Sequence, residues 1–394
     1  MIVEKIIPSV RLSSLDGDAL LLPESRAMIQ RGGQFFATLD GIRGIAAIMV
    51  VAFHAAPLFG KGIVQEEFLA VDIFFVLSGV VIANAYEHRL RSGLSVLSFA
   101  KLRLIRLYPL YILGTAIRLA AIGAGLIIVG ADPAGNGLQL AAPLFFALLL
   151  LPDPFSDWVF PLNPPAWSLF FELSGNIAYA SAFRFLTCRV LVVIIAVSAL
   201  GLAAILHFGP QHDLHVGWTT ENLSGGFFRV GYSFFAGVLL YRMFASRNAP
   251  GEEGRRAFVP WVILGLVAIL LGAKPEPVIR PYYEFAAVIL LFPAIIYSAL
   301  LFEPAGVSRR VCKFLGAASY AVYAIHVPLY WLISGMTTRI LHFPAKSGAP
   351  WAGLFFVVLL LAVCWALDTF CDRPLRRFLV AHGRFEIATV PEKA

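Results

Sequence analysis

The sequence predicts an all-α polytopic membrane protein, with about ten transmembrane helices plus one short re-entrant or half-span segment. Three observations carry this. Of 394 residues, 59% are hydrophobic and only 14% are charged, with a mean hydropathy of +0.80, whereas a water-soluble chain of this size needs far more polar surface. Apolar runs of about 18 to 20 residues, the length that spans a bilayer core, recur from residue 42 to residue 371. Lys and Arg gather in the short segments beside those runs, where they set orientation. The net charge of +7 is therefore no sign of a nucleic-acid partner. An outer-membrane barrel would show alternating segments of about ten residues, and the sequence has no such pattern.

Residues 1–37 mix apolar residues with Glu4, Lys5, Asp16, Asp18 and Arg26. They lack the continuous apolar core of a signal peptide and read as a cytoplasmic tail. The apolar runs then fall at about 42–58, 68–86, 105–129, 138–152, 167–184, 189–208, 226–243, 258–273, 282–301, 315–335 and 351–371. Arg89, Arg91, Lys101 and Arg103 lie in 87–104, and Arg184 and Arg189 in 184–189. Arg242, Arg247, Arg255 and Arg256 lie in 242–256, and Arg309, Arg310 and Lys313 in 302–314. With Arg373, Arg376 and Arg377, these segments are expected to be cytoplasmic. Segments 59–67, 130–137, 153–166 and 209–225 carry one Lys, Lys61, and no Arg, and read as exterior. Two exterior segments thus flank 138–152, which has 15 residues and two prolines, Pro143 and Pro152. A re-entrant segment resolves the conflict, since protein can bury its backbone. That leaves ten full spans with both termini cytoplasmic; eleven spans that break the charge rule are the alternative. The membrane domain is expected at 38–378, followed by a cytoplasmic tail at 379–394.

Several polar residues enter the apolar runs. Asp40, Arg43 and His54 lie on the first. Arg43 and His54 are eleven residues apart, about three turns plus 20°, so they share a helix face roughly 16 Å apart along the axis. Such groups inside a membrane are costly and need a reason. Asp72 opens the second run, with Ser78 and Gly79 about two turns deeper; small residues there also suit close helix packing. Arg103 and Arg106, three apart, share a face. They either anchor the cytoplasmic edge or grip a phosphate in bidentate fashion. Glu172 lies about 8 Å past Trp167 from the exterior, and His54 about 18 Å in from the cytoplasm, nearly the same depth. The two are expected to meet, the carboxylate raising the basicity of the imidazole and fixing its tautomer; a purely structural pair is the plain alternative. Tyr323 and His326 share a face. His326 reads either as functional or as a core histidine bonded to a carbonyl that Pro328 frees. Asp372-Arg373-Pro374 with Arg376 and Arg377 reads as a cytoplasmic cap without chemistry. Cys188, Cys312, Cys364 and Cys371 have no metal-ligand spacing and imply neither disulfide nor zinc. His207, His212 and His215 cluster in one exterior loop, which is weak evidence for a metal, and none is expected.

Leu39-Asp40-Gly41-Ile42-Arg43-Gly44-Ile45-Ala46-Ala47 with His54 resembles the opening signature of the membrane-bound acyltransferase 3 family, the bacterial O-acyltransferases of surface polysaccharides. The family's arginine-ten residues-histidine pattern falls on Arg43 and His54, its Phe-Phe-x-x-Ser-Gly motif on Phe74, Phe75, Ser78 and Gly79, and its arginine pair on Arg103 and Arg106. Its Trp-Ser-Leu-x-x-Glu motif falls on Trp167, Ser168, Leu169 and Glu172, and its Ser-Tyr-x-x-Tyr-x-x-His stretch on Ser319, Tyr320, Tyr323 and His326. Asp372 stands where the family ending has glutamate, and Leu173-Ser174-Gly175-Asn176 departs from the usual tail after Glu172. The resemblance implies transfer of an acyl group, most often acetyl from acetyl-CoA (an acyl-CoA donor), to a hydroxyl of a carbohydrate or glycolipid acceptor such as exopolysaccharide or lipopolysaccharide. It implies a multi-pass protein of the bacterial inner (plasma) membrane, in contact with the lipid bilayer. His54 would be the catalytic group, as general base or acyl-accepting nucleophile. Glu172 would orient it, with Asp40 and Arg43 beside it. Arg103, Arg106 and Arg43 would hold the donor's phosphates. Ser78, Trp167, Tyr323 and His326 would support the substrate or the site. The rival from another class is a proton-coupled membrane transporter working through His54 and Glu172. A structural or flippase partner of polysaccharide export would explain the membrane body but not His54.

Overall fold

A computed structural model describes residues 35–383, apart from 61, 63, 130–132, 248–251, 254–257, 340–341 and 343–344. The expected tails therefore lie outside the described residues up to 34 and from 384. Each of the eleven apolar runs lies on a helix. In order these are α1 (Ala37–His54) with the single turn α2 (Ala56–Phe59), α3 (Ala70–Arg91) led by a 3-10 turn at Glu67–Leu69, α4 (Val96–Val129), and α5 (Pro133–Leu148). There follow α6 (Ala166–Ala182), α7 (Cys188–Phe208), α8 (Leu223–Ala245), α9 (Val259–Gly272), and α10 (Arg280–Ala286), joined through a π turn to α11 (Phe292–Leu301). Last come α12 (Gly306–Arg339), α13 (Trp351–Leu367), a π turn at Asp368–Asp372, and α14 (Arg373–His382). Two short strands, β1 (Glu252–Glu253) and β2 (Phe302–Glu303), pair in parallel, and one isolated antiparallel bridge joins Trp158 to Thr219.

Seven helices are long and apolar enough to cross a membrane: α1, α3 with its lead-in, α4, α7, α8, α10–α11 and α13–α14. Two shorter apolar helices lie at Gln139–Leu148 and Val259–Gly272. The first is the segment expected to be re-entrant. Tyr108 and Tyr111 of α4 donate to its terminal carbonyls, of Leu148 and Ala147, each at 2.7 Å. These bonds satisfy two of the orphan acceptors at a helix end.

Two boundaries depart from expectation. α4 begins at Val96 rather than near 105, so Lys101 and Arg103 stand on a helix and not in a loop. α12 begins at Gly306 and takes in Arg309, Arg310 and Lys313. Hydropathy marks where a segment stops being apolar, but Lys, Arg and Leu are all good helix formers, so the backbone continues. Only residues 92–95 separate α3 from α4, turning at Gly93 with φ of 96°.

Burial divides the helices into inner and outer ones. In α3, 78% of the most apolar window is buried, against 17% in α7 and 22% in α13–α14. α3 meets α8 where a Cβ on Gly79 would lie 2.0 Å from the Phe234 carbonyl oxygen, and one on Gly237 2.1 Å from that of Val76. The packing role weighed for Gly79 is the one the structure bears out, since small residues let backbones approach. Asp72 and Arg229 join the same two helices, both fully buried, with Nη2 to Oδ2 at 2.6 Å. The guanidinium also donates to the carbonyls of Phe68 and Val216, and Ser233 donates to Asp72. The multiple bonds offset the cost of burying the charges.

The loops after α5 and α7 pair with each other: Val159 N donates to Trp218 O at 3.1 Å and Thr220 N to Asp157 O at 3.0 Å. Both were expected on one face by their lack of arginine. Arg91, Arg184 and Arg242 likewise gather around one cavity, at the ends of α3, α6 and α8 and the start of α7.

Candidate active site

The site forms where α1, α3, α4, α6 and α12 converge. Asp40 and Arg43, one turn apart on α1, form an ion pair with Nη1 to Oδ1 at 3.0 Å. α12 comes so close there that a Cβ on Gly316 would lie 2.3 Å from the Asp40 Cβ. Beside them is a cavity of about 130 Å³, whose walls include Arg43, Ser78, Arg103, Arg106, Ser168, Glu172, Ser319, Tyr320 and Tyr323. Every one of these belongs to a motif singled out in the sequence, although five separate stretches of chain contribute them.

Glu172 does not meet His54. Its Oε1 accepts from Ser78 Oγ at 2.9 Å and from Arg103 Nη2 at 3.0 Å. The depth estimate failed because α1 starts at Ala37, so His54 is its last residue, about 26 Å along the axis rather than mid-span. Glu172 lies one turn beyond Ser168 on α6, on the cavity wall. Arg103 is accordingly engaged by a carboxylate, and its Nε is buried with no hydrogen-bond partner. Arg106 lies over the Tyr320 ring at 4.9 Å and 3.8 Å from Asp372, a residue to which the sequence assigned no chemistry. Asp372 in turn pairs with Arg376 at 2.8 Å, so the C-terminal cap reaches the cavity wall through Arg106.

The partner of His54 is His326. Their rings lie 5.0 Å apart edge to face, with His326 Nε2 3.4 Å from His54 Nδ1. His326 Nδ1 is 3.1 Å from Val322 O and 2.9 Å from Tyr323 O. Carbonyl oxygens only accept, so in the neutral ring Nδ1 carries the proton and Nε2 the lone pair. His54 Nδ1, 3.0 Å from Val50 O, donates to that carbonyl and toward His326. The lone pair of His54 then resides on Nε2, which has no hydrogen-bond partner among the described residues. The carbonyl that Pro328 frees, that of Ala324, is taken by Asn163 Nδ2 at 3.0 Å and not by His326. Between the His pair and the cavity, Tyr323 and Ser168 share a hydrogen bond of 2.7 Å.

The Arg229 guanidinium lies over the Trp167 ring at 5.2 Å. Arg229 is absent from the sequence expectations, although a charge inside the apolar run 226–243 is itself the signal. Outside the helices, His215 stacks between Phe68 and Trp218, at 4.8 and 5.1 Å. Burial, together with Arg229, Arg280 and His54, lowers its pKa to about 3. Burial also raises the Glu66 carboxyl, against the opposing pull of Arg280 at 2.9 Å. Leu214 N donates to Glu284 at 2.6 Å, and Arg280 pairs with Glu284 at 3.0 Å, pinning the loop that carries His215. His207 and His212 do not join His215: one packs on Phe208, the other bonds Leu206 O. No metal-holding cluster of three ligands occurs among the described residues.

Residues 36–369 match the family model described as an acyltransferase domain, acyltransferase 3. Over 186 residues the chain is 40% identical to "Protein 2 in picA locus" of Rhizobium radiobacter, which takes in 44% of this chain and 96% of that protein. It is 20% identical over 320 residues to O-acetyltransferase OatA of Staphylococcus aureus, 75% of this chain and 51% of the relative, so it spans about half of that protein's length. A 51-residue stretch, 13% of this chain and 8% of the relative, is 43% identical to Peptidoglycan O-acetyltransferase OatA of Listeria monocytogenes. No solved structure matches the chain.

Proposed function

The chain belongs to the acyltransferase 3 family of membrane acyltransferases, and from that premise we propose that it moves an acetyl group from acetyl-CoA to a hydroxyl of a carbohydrate or glycolipid acceptor across the membrane. The donor enters from the arginine-rich, cytoplasmic side of the inner membrane. Three guanidinium groups line the cavity there, Arg43, Arg103 and Arg106, against the single carboxylate of Glu172. That surplus suits the phosphates of an anionic thioester donor. Glu172 positions Ser78 and Arg103. Asp40 and Asp372 hold Arg43 and Arg106 from behind.

The observation that carries the reading is the His54–His326 pair. His54 presents an unprotonated Nε2 because the other nitrogen is committed to Val50 O and to His326, whose own tautomer is fixed by two backbone carbonyls. In direct transfer, Nε2 takes the acceptor's hydroxyl proton as the oxygen attacks the thioester carbonyl. The C–S bond then breaks, and the thiolate leaves and takes up a proton. In the two-step form, Nε2 itself attacks the thioester carbonyl, the C–S bond breaks and the thiolate leaves with the proton of Nδ1; the acceptor hydroxyl then attacks the acetyl-imidazole, the C–N bond breaks and the hydroxyl proton returns to the ring. His54 ends α1 on the exterior side of the cavity, which suits a group handing acetyl outward. Family membership favours this over the proton-coupled transporter. The acceptor class is proposed from the O-acetyltransferase relatives, one of which is named for peptidoglycan.

The test is acetyl-CoA-dependent O-acetylation in membranes that carry the full chain. His54→Ala is expected to abolish transfer while the protein still inserts. His326→Gln, which cannot relay the same tautomer, is expected to lower kcat and shift the pH profile with little change in acetyl-CoA KM. Full activity of His54→Ala would sink the assignment.

A further inference from the structure

A second, larger cavity, about 740 Å³, opens at the C-terminal end of α3, past the catalytic one. Ser78, Val81 and Ile82 face the catalytic cavity, whereas Glu87, His88 and Arg91 face this one. Ile82 and Glu87 are five residues apart, about 7.5 Å along the helix axis. The remaining wall is the 183–188 turn and the end of α8, including Arg184 and Arg242. Three arginines thus stand against one carboxylate. Arg91 and Arg242 share Glu87, at 2.6 and 3.2 Å, and Arg242 also donates to Leu186 O. Arg184 has no ion-pair partner among the described residues. The cavity therefore carries about two uncompensated positive charges, and its volume lies in the range of about 300–1,000 Å³ typical of small-molecule sites.

We infer that this cavity binds the phosphate headgroup of an anionic phospholipid of the cytoplasmic leaflet. The choice of a lipid over a soluble phosphate rests on what adjoins the cavity. α7 starts at its rim with Cys188, and Val190, Val193 and Val197, spaced for one helix face, are 39%, 60% and 57% exposed. This apolar stripe leads away from the arginines along the most exposed of the long helices, where acyl chains would lie. Basic recesses between helices on the cytoplasmic side are suited to such headgroups. The site does not depend on the acetyl-transfer assignment.

Cys188 lines the cavity and is exposed, and Cys371 is exposed elsewhere, whereas Cys312 and Cys364 are buried. The full-length protein is reconstituted in vesicles of phosphatidylcholine alone or mixed with phosphatidylglycerol. An uncharged maleimide labels it, and peptide mass spectrometry reads the rate at Cys188 relative to Cys371. Phosphatidylglycerol is expected to slow Cys188 selectively, and Arg184→Ala with Arg91→Ala to weaken that protection by roughly a factor of five per arginine. An unchanged Cys371 rate in the double variant reports that it remains folded. Equal Cys188 rates in both vesicles would overturn the inference. So would protection by inorganic phosphate or coenzyme A in neutral vesicles, which would assign the cavity to a soluble anion instead.

Discussion

Glu172 holds a hydroxyl and a guanidinium at once, and Arg106 rests between an aromatic face and a carboxylate. These arrangements separate two kinds of arginine on one cavity wall. Arg103 is spent mainly on Glu172, whereas Arg106, at 3.8 Å from Asp372, has the looser partner and more capacity for a donor phosphate. Arg106→Ala is therefore expected to raise the acetyl-CoA KM roughly 10-fold, the loss of one charge-assisted contact, with kcat nearly kept. Glu172→Gln, which frees Arg103 and Ser78, is expected to lower kcat more than it raises KM. Steady-state kinetics on membranes separate the two; a pure KM effect for Glu172→Gln would refute its positioning role. At this scale the sequence marks the costly groups but pairs Glu172 with His54, where the structure gives it Ser78 and Arg103. Arg43, His54, Glu172 and His326 could be read as costly intramembrane groups, but which of them touch depends on helix starts and crossing points, and those are not local properties.

At the scale of elements, the site depends on how closely helices approach. α3 and α8 touch backbone to backbone at Gly79 and Gly237, and the same pair of helices is bound by Asp72 and Arg229. Ser78, next to Gly79, can reach Glu172 only if this contact holds α3 in register. Gly79→Val would drive two methyl groups toward the Phe234 carbonyl, already 2.0 Å from where a Cβ would sit. A cost of about 1–3 kcal/mol follows from overpacking. It should appear as a lower unfolding midpoint in detergent together with reduced kcat; a Gly79→Val protein as stable and active as the wild type would show that the helices have slack. The extended starts of α4 and α12 matter equally. Because α4 is helical from Val96, Arg103 is held rigidly toward α6, where a flexible loop would have left it free.

For the whole molecule, charge divides the two faces. Arg91, Arg184 and Arg242 gather on one, and Glu66, Asp213 and Glu284 around Arg280 on the other. On that second face, His215 is neutral in the folded state, its pKa lowered to about 3 from 6.5. The unfolded chain binds this proton from about pH 6.5 downward, and the folded one only near 3. Stability present above pH 6.5 is therefore lost as the pH falls toward 3. Glu66, with its carboxyl raised, works in the opposite sense: its contribution is full at low pH and fades as the pH rises. The expected outcome is that His215→Phe, which keeps the stack with Phe68 and Trp218, narrows the drop in thermal midpoint between pH 7 and pH 5. An equal drop in the variant would remove His215 as the cause.

Membrane class, the eleven apolar runs and the ordered family motifs were determined by the sequence alone. They rest on hydropathy and on residue order, both of which are one-dimensional. Packing decided the rest. His54 pairs with His326 because α1 ends beside the middle of α12. Glu172 pairs with Ser78 and Arg103 because α6 packs against α3 and α4 at that level. Arg106 meets Asp372 because the π turn between the last two described helices returns to the same face. Contacts between residues 69 to 272 positions apart are fixed by helix crossings, and a crossing depends on two surfaces that no single stretch of sequence contains.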